Sequence, residues 1–167
     1  SSAVTDIVNA TTSETATNLT ATTYYRAVLT SGSCAAANSA TATVTVSPAS
    51  VGGSIAGSAT VCTGTNSTGL TLSGHTGTIT KWQSSVSPFS TWTDIVNTAT
   101  TYTSGPLTAT TQFRAVVTSG SCPSANSVVT TVTVDPTTVG GTVAGGTTIC
   151  SGSTSALLTL SGHTGTI

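Results

Sequence analysis

An all-β chain assembled from tandem sandwich repeats is what this sequence predicts, and three observations point there. Thr and Ser supply 42 and 25 of the 167 residues, and Met is absent. Thr and Val favour pleated, half-buried strands, and a chain poor in Glu, Lys and Met lacks its best helix formers. The decamer LTLSGHTGTI occurs at 70–79 and again at 158–167, 88 residues on. Short runs alternate apolar and hydroxyl-bearing residues between turn signals, at the roughly 8–12-residue spacing of a sandwich or barrel.

The 88-residue offset holds along the whole chain. Cys34 and Cys122, Thr5-Asp6-Ile7-Val8-Asn9 and Thr93-Asp94-Ile95-Val96-Asn97, Pro48 and Pro136, and Cys62 and Cys150 all obey it without insertion or deletion. Laid over 89–167, residues 1–79 are identical at 48 of 79 positions, the signature of a repeat architecture. Val46-Ser47-Pro48-Ala49-Ser50-Val51-Gly52-Gly53 and its counterpart at 134–141 read as linkers, because Pro cannot continue a central strand and paired Gly loosens the backbone. On that phase residues 48–135 are one complete repeat. Residues 1–47 are expected to be the C-terminal half of the repeat before it, and 136–167 the N-terminal part of the next.

Seven strands are predicted in the complete repeat, over 54–62, 69–73, 79–84, 92–96, 101–107, 111–119 and 127–134. Period-2 alternation places Thr80, Trp82 and Ser84 on one face of the third. Phe113, Ala115 and Val117 share a face of the sixth, with Tyr25, Ala27 and Leu29 in the sister copy. Val128, Thr130, Val132 and Val134 line the last. With Leu70, Leu72 and either Ile95 or Val96 they make the expected core, so Trp82, Phe113, Tyr25, Leu70, Leu72 and Val132 are its predicted members. A lone Trp in the third of seven strands is where immunoglobulin-like sandwiches put their core Trp, so the repeats are read as immunoglobulin-like. A β-solenoid would instead show coils of roughly 20–30 residues.

Each repeat holds one Cys at the end of its first strand (Cys62, Cys150) and one just after its sixth (Cys34, Cys122). The expected disulfide joins Cys62 to Cys122, with Cys34 and Cys150 pairing outside the chain. Closing a loop of that length stabilises a domain by roughly 4 kcal/mol on chain-entropy grounds. The alternative pairs Cys34 with Cys62 and Cys122 with Cys150 across the linkers. Either scheme implies an oxidising, extracellular compartment. No Cys-x-x-Cys or neighbouring His pair suggests a metal, and no cofactor is expected.

Charge excludes some partners. Arg26, Lys81 and Arg114 are the only basic side chains besides the two His, too few to neutralise a nucleic acid. No apolar run is long enough to span a membrane as a helix, so membrane insertion is not expected.

Several side chains invite a functional reading. His75 and His163 lie in Ser-Gly-His-Thr-Gly with no carboxylate or thiol beside them and read as turn residues. Arg26 and Arg114 occupy one repeat position, with a surface salt bridge to Asp6 and Asp94 as the expected role. Trp92, whose sister is Val4, is the candidate for stacking on a sugar ring. No catalytic residues are assigned: Glu14 is Tyr102 in the other copy, and no Ser, His and Asp are organised together. Asn9, Asn18 and Asn66 start Asn-x-Ser/Thr sequences.

The combination of Thr60-Val61-Cys62-Thr63-Gly64, Trp82-Gln83, Phe113-Arg114-Ala115-Val116-Val117-Thr118-Ser119-Gly120-Ser121-Cys122 and closing Thr131-Val132-Thr133-Val134 resembles a known family. It is similar to the tandem Ig-like repeats of giant secreted surface proteins of Bacteroidota, including gliding-motility adhesins exported by type IX secretion. That resemblance implies a noncatalytic stalk or spacer module at the cell surface, part of an adhesin or filament. Its expected partners are neighbouring repeats of the same chain and surface glycans or filament components. With few charges to guard strand edges, the repeat is expected to have them covered by neighbours or glycans. The alternative function is a carbohydrate-binding module attached to a secreted hydrolase, with Trp92 as its platform.

Overall fold

The structure is a computed structural model that describes residues 4–167. Its described residues form strands and turns with no helix. The chain divides into two compact units, Ser1–Pro48 and Ala49–Ile167, so the division falls in the first linker and residues 136–167 group with those before them.

In the first unit β1 (Thr23–Tyr25) pairs antiparallel with β4 (Ala42–Val44), and β2 (Val28–Leu29) with β3 (Ala37–Asn38). Among the described residues these two ribbons cover no closed core. Val28 and Leu29 are exposed and Tyr25 is half-buried, and a hollow of about 210 Å³ is lined by Glu14, Ala16, Tyr25, Ala42 and Val44. Tyr25 was expected in a core and instead is half-buried at the wall of this hollow.

The second unit holds β5 (Ser54–Ala56), β6 (Ala59–Cys62), β7 (Gly69–Ser73), β8 (Thr78–Val86), β9 (Thr93–Ile95), β10 (Thr101–Thr103), β11 (Thr111–Thr118), β12 (Ala125–Asn126) and β13 (Thr130–Asp135), followed by β14 (Thr142–Ala144) and β15 (Thr159–Ser161). One sheet runs β10-β7-β5 and the other β6-β13-β11-β8-β9, with β12 also on β11. Leu70 and Leu72 of the first sheet meet Ile79, Trp82, Phe113, Ala115, Val117 and Val132 of the second in one buried cluster, which Tyr102 and Ile95 flank. This is consistent with a β-sandwich. Trp82 is fully buried, and its indole N–H donates to Ala99 O at 3.0 Å, so burial leaves no unpaired donor.

Three strand predictions are corrected by the sheets. Residues 54–62 do not form one strand: at Gly57, with φ +111°, the chain leaves β5 in one sheet and enters β6 in the other. A side chain there would meet Gly69 O at 2.3 Å, so glycine is required by both the dihedral and the close approach. In β8 the register slips, Val116 facing Lys81 and Val117 facing Ile79, so Thr80 is a bulge residue. Ile79 rather than Thr80 therefore joins Trp82 on the core face. The last predicted strand is interrupted: Val128 is exposed and its N–H donates to Gly53 O, while Thr130 and Val132 are buried. Of the alternatives on β9, Ile95 packs on the core and Val96 is fully exposed.

Equivalent strands keep equivalent registers. Thr23↔Val44, Tyr24↔Thr43 and Tyr25↔Ala42 correspond to Thr111↔Val132, Gln112↔Thr131 and Phe113↔Thr130. Likewise Thr142↔Ser161 and Val143↔Leu160 correspond to Ser54↔Ser73 and Ile55↔Leu72.

Candidate functional site

Residues 48–135 carry four charged side chains, and three of them gather on the outer face of one sheet. Gln83 on β8 lies opposite Asp94 on β9 and opposite Arg114 on β11, so the three form a row across three adjacent strands. Period-2 alternation puts Lys81 on the same face as Gln83 while Trp82 between them points into the core.

Hydrogen bonds run the length of this row. Gln83 Nε2 donates to Asp94 Oδ1 at 2.7 Å, and Arg114 Nε donates to Gln83 Oε1 at 2.7 Å. Lys81 Nζ reaches Asp94 Oδ2 at 2.8 Å, the one salt bridge among the described residues. The Gln83 hydrogen bond, and after it Lys81, hold the Asp94 carboxyl below its ordinary range. Trp92, just before β9, lies against the Arg114 guanidinium, which stands 4.1 Å from its ring centre.

Two sequence expectations change here. Arg114 does not pair with Asp94: Gln83 lies between them and serves both, so the expected Arg–Asp salt bridge is replaced by a relay whose ion pair uses Lys81. Trp92 is half-buried and one face of its ring is already occupied by Arg114, which leaves less of it open to a sugar. Gln83 and Lys81 escaped the sequence reading because only strand register reveals that they neighbour Asp94. In the first unit Asp6, Arg26 and Val4 are all exposed.

The remaining candidates stay apart. His75, half-buried with its Nδ1 enclosed, and the exposed His163 lie in the turns that follow β7 and β15. No group of three His, Cys, Asp or Glu among the described residues is arranged to hold a metal ion.

The cysteines take positions that sequence spacing did not disclose. β6 runs parallel to β13 with Cys62 level with Asp135, and Thr63 N–H donates to Asp135 O at 2.9 Å. Cys122 lies in the turn beyond the far end of β11, where its N–H donates to Ser119 O at 2.9 Å. Since β11 and β13 are antiparallel with Thr111 level with Val132, Cys62 and Cys122 are at opposite ends of the sheet. Asp135 lies three residues beyond Val132, so some ten strand positions separate Cys62 from the far end of β11; at about 3.3 Å per residue that is roughly 33 Å, whereas a disulfide needs Cα atoms about 4.4–6.8 Å apart. The strand pairings thus hold Cys62 and Cys122 too far apart for the expected bridge between them.

A family described as a domain of unknown function, DUF8696, matches residues 1–48 and 51–136. The chain belongs to this family. Its matched segments adjoin at the first linker, and the second ends at Pro136. Comparison with curated proteins and with solved structures gives no match.

Proposed function

We propose that this DUF8696 chain is a noncatalytic spacer, a run of immunoglobulin-like repeats that extends a cell-surface adhesin or filament outward from the cell. The observation that carries the reading is the position of the complete repeat's two ends. Ser50, at its start, accepts a hydrogen bond from Ser119 N–H at the far end of β11, whereas Asp135, at its finish, is level with Cys62 at the opposite end. A repeat that begins at one end of its sheets and finishes at the other adds its full length to the chain. Repeats joined this way grow into a rod in proportion to copy number.

The sheet pairings support the Ig-like assignment: two sheets enclose the Trp82 cluster, and the first strand is shared between them through the Gly57 switch. Extracellular placement, in an array of the gliding-motility type, follows from the family resemblance of the Cys, Trp and Thr-Val-Thr-Val elements. Small-angle scattering on chains with increasing numbers of 88-residue repeats tests the mechanism. The maximum dimension should rise linearly, by roughly 30–40 Å per repeat if strands lie along the rod. A dimension that grows with the cube root of mass would reject the spacer reading.

A further inference from the structure

The end-to-end array, on which this step rests, gives the cysteines a use. We infer that the thiols staple consecutive repeats: Cys62 bonds to the cysteine that holds the Cys122 position in the following repeat.

The argument begins with what the fold forbids. Cys62 and Cys122 of one repeat stand at opposite ends of its sheet, and the alternative Cys34–Cys62 and Cys122–Cys150 pairs fare no better. Cys34 follows β2, the counterpart of the C-terminal end of β11, with the same N–H to Ser31 O turn that Cys122 makes to Ser119. Cys34 thus marks the starting end of its repeat and Cys62 the finishing end of its own, so in the proposed array the two share no junction.

Each thiol does lie beside a linker. Cys62 is exposed and level with Asp135, the last residue before Pro136. Its segment is clamped by Asn66, whose Nδ2 donates to Cys62 O at 2.8 Å and to Leu107 O at 2.8 Å while Leu107 N–H donates to its Oδ1. Cys122 is half-buried in the turn fastened to the repeat's first residues. Ser119 N–H donates to Ser50 Oγ at 2.9 Å, and Gly52 packs so closely that a Cβ would stand 1.9 Å from Asn126 O.

From Asp135 the chain reaches Thr138, the counterpart of Ser50, in three residues, a reach of roughly 10 Å. A finishing-end thiol and a starting-end thiol therefore flank every junction. The paired positions are 60 residues plus one 88-residue repeat apart, a spacing that no two of Cys34, Cys62, Cys122 and Cys150 have. Bond formation joins the two sulfurs and releases two protons and two electrons, which a disulfide oxidant accepts as it is reduced to two thiols. Such a bridge would close each hinge and stiffen the rod.

The test extends the full chain at Ile167 by a second copy of residues 80–135, which completes the third repeat and adds one cysteine in the Cys122 position. After oxidation with oxidised glutathione, peptide mapping without reduction should show Cys62 joined to the added cysteine. Cys62→Ala should abolish that peptide, and Cys122→Ala should leave it intact. A dominant Cys62–Cys122 or Cys34–Cys62 peptide, or Cys62 recovered unlinked to protein, would overturn the proposal. Scattering from the reduced extended chain reads the array itself, so a compact reduced chain would instead reject the spacer reading.

Discussion

Arg114 lies over the Trp92 ring at 4.1 Å and donates Nε to Gln83, which in turn donates to Asp94. Three of the four charged side chains of residues 48–135 thus tie β9, β8 and β11 together on the solvent side. Trp92→Ala removes a half-exposed cation–π contact worth about 0.5–1 kcal/mol, and chemical denaturation should show a loss of that order. If Trp92 serves this structural role, the same variant should bind a glycan array no differently from the native chain.

Protonating Asp94 should weaken the same row. Its carboxyl is held below the ordinary value of 3.8 by Gln83 first and Lys81 second, so the folded state binds this proton less readily than the unfolded one. The stabilisation is fully present above pH 3.8 and is lost as pH falls through the lowered value. Denaturation midpoints measured from pH 6 downward should fall in that acid range by a smaller amount in Asp94→Asn, and high salt should reduce the difference.

Trp82 should dominate stability. It is fully buried, and its ring centre stands 5.7 Å from that of Tyr102, which in turn is 5.8 Å from Phe113. Trp82→Ala leaves a large cavity and strands Ala99 O, at an expected cost of about 3–5 kcal/mol. Trp82→Phe should retain much of this, and urea titration by circular dichroism distinguishes the two.

Gly52→Ala tests how tightly the segment before β5 is fastened to β12. A Cβ at this position would overlap the Asn126 backbone, so the first residues or β12 must move, at about 1–3 kcal/mol or more. Hydrogen exchange should report the opening locally, at Val128 N–H, which donates to Gly53 O.

Asn66→Ala should release the loop that positions Cys62. Three hydrogen bonds to Cys62 O, Leu107 O and Leu107 N–H are lost, and a partly buried clamp of this kind is worth roughly 1–3 kcal/mol. Faster alkylation of Cys62, with that of Cys34 unchanged, would be the accompanying sign.

Much of this was legible in the residues. The excess of Thr and Ser and the alternation around Leu70, Leu72 and Val132 indicate strands, because period 2 and half-burial are written directly into side-chain order. Trp82 and Phe113 read as core because a large aromatic in so polar a strand has nowhere else to go. The bulge at Thr80 was not legible: an inserted residue changes which side chains face inward only through the partner strand's register. The relay through Gln83 was hidden for a similar reason, since Asp94 and Arg114 become its neighbours only when β9 and β11 flank β8.

By itself, the sequence determined the β class and the residues with enough apolar surface to build a core, since each is a local or periodic property of the chain. Only the tertiary structure decided where the sheets divide and where the cysteines stand. A spacing of 60 residues says how large a loop a bridge would close, and nothing about direction. It is the parallel pairing of β6 with β13, and the antiparallel pairing of β13 with β11, that sends Cys62 and Cys122 to opposite ends of their sheet.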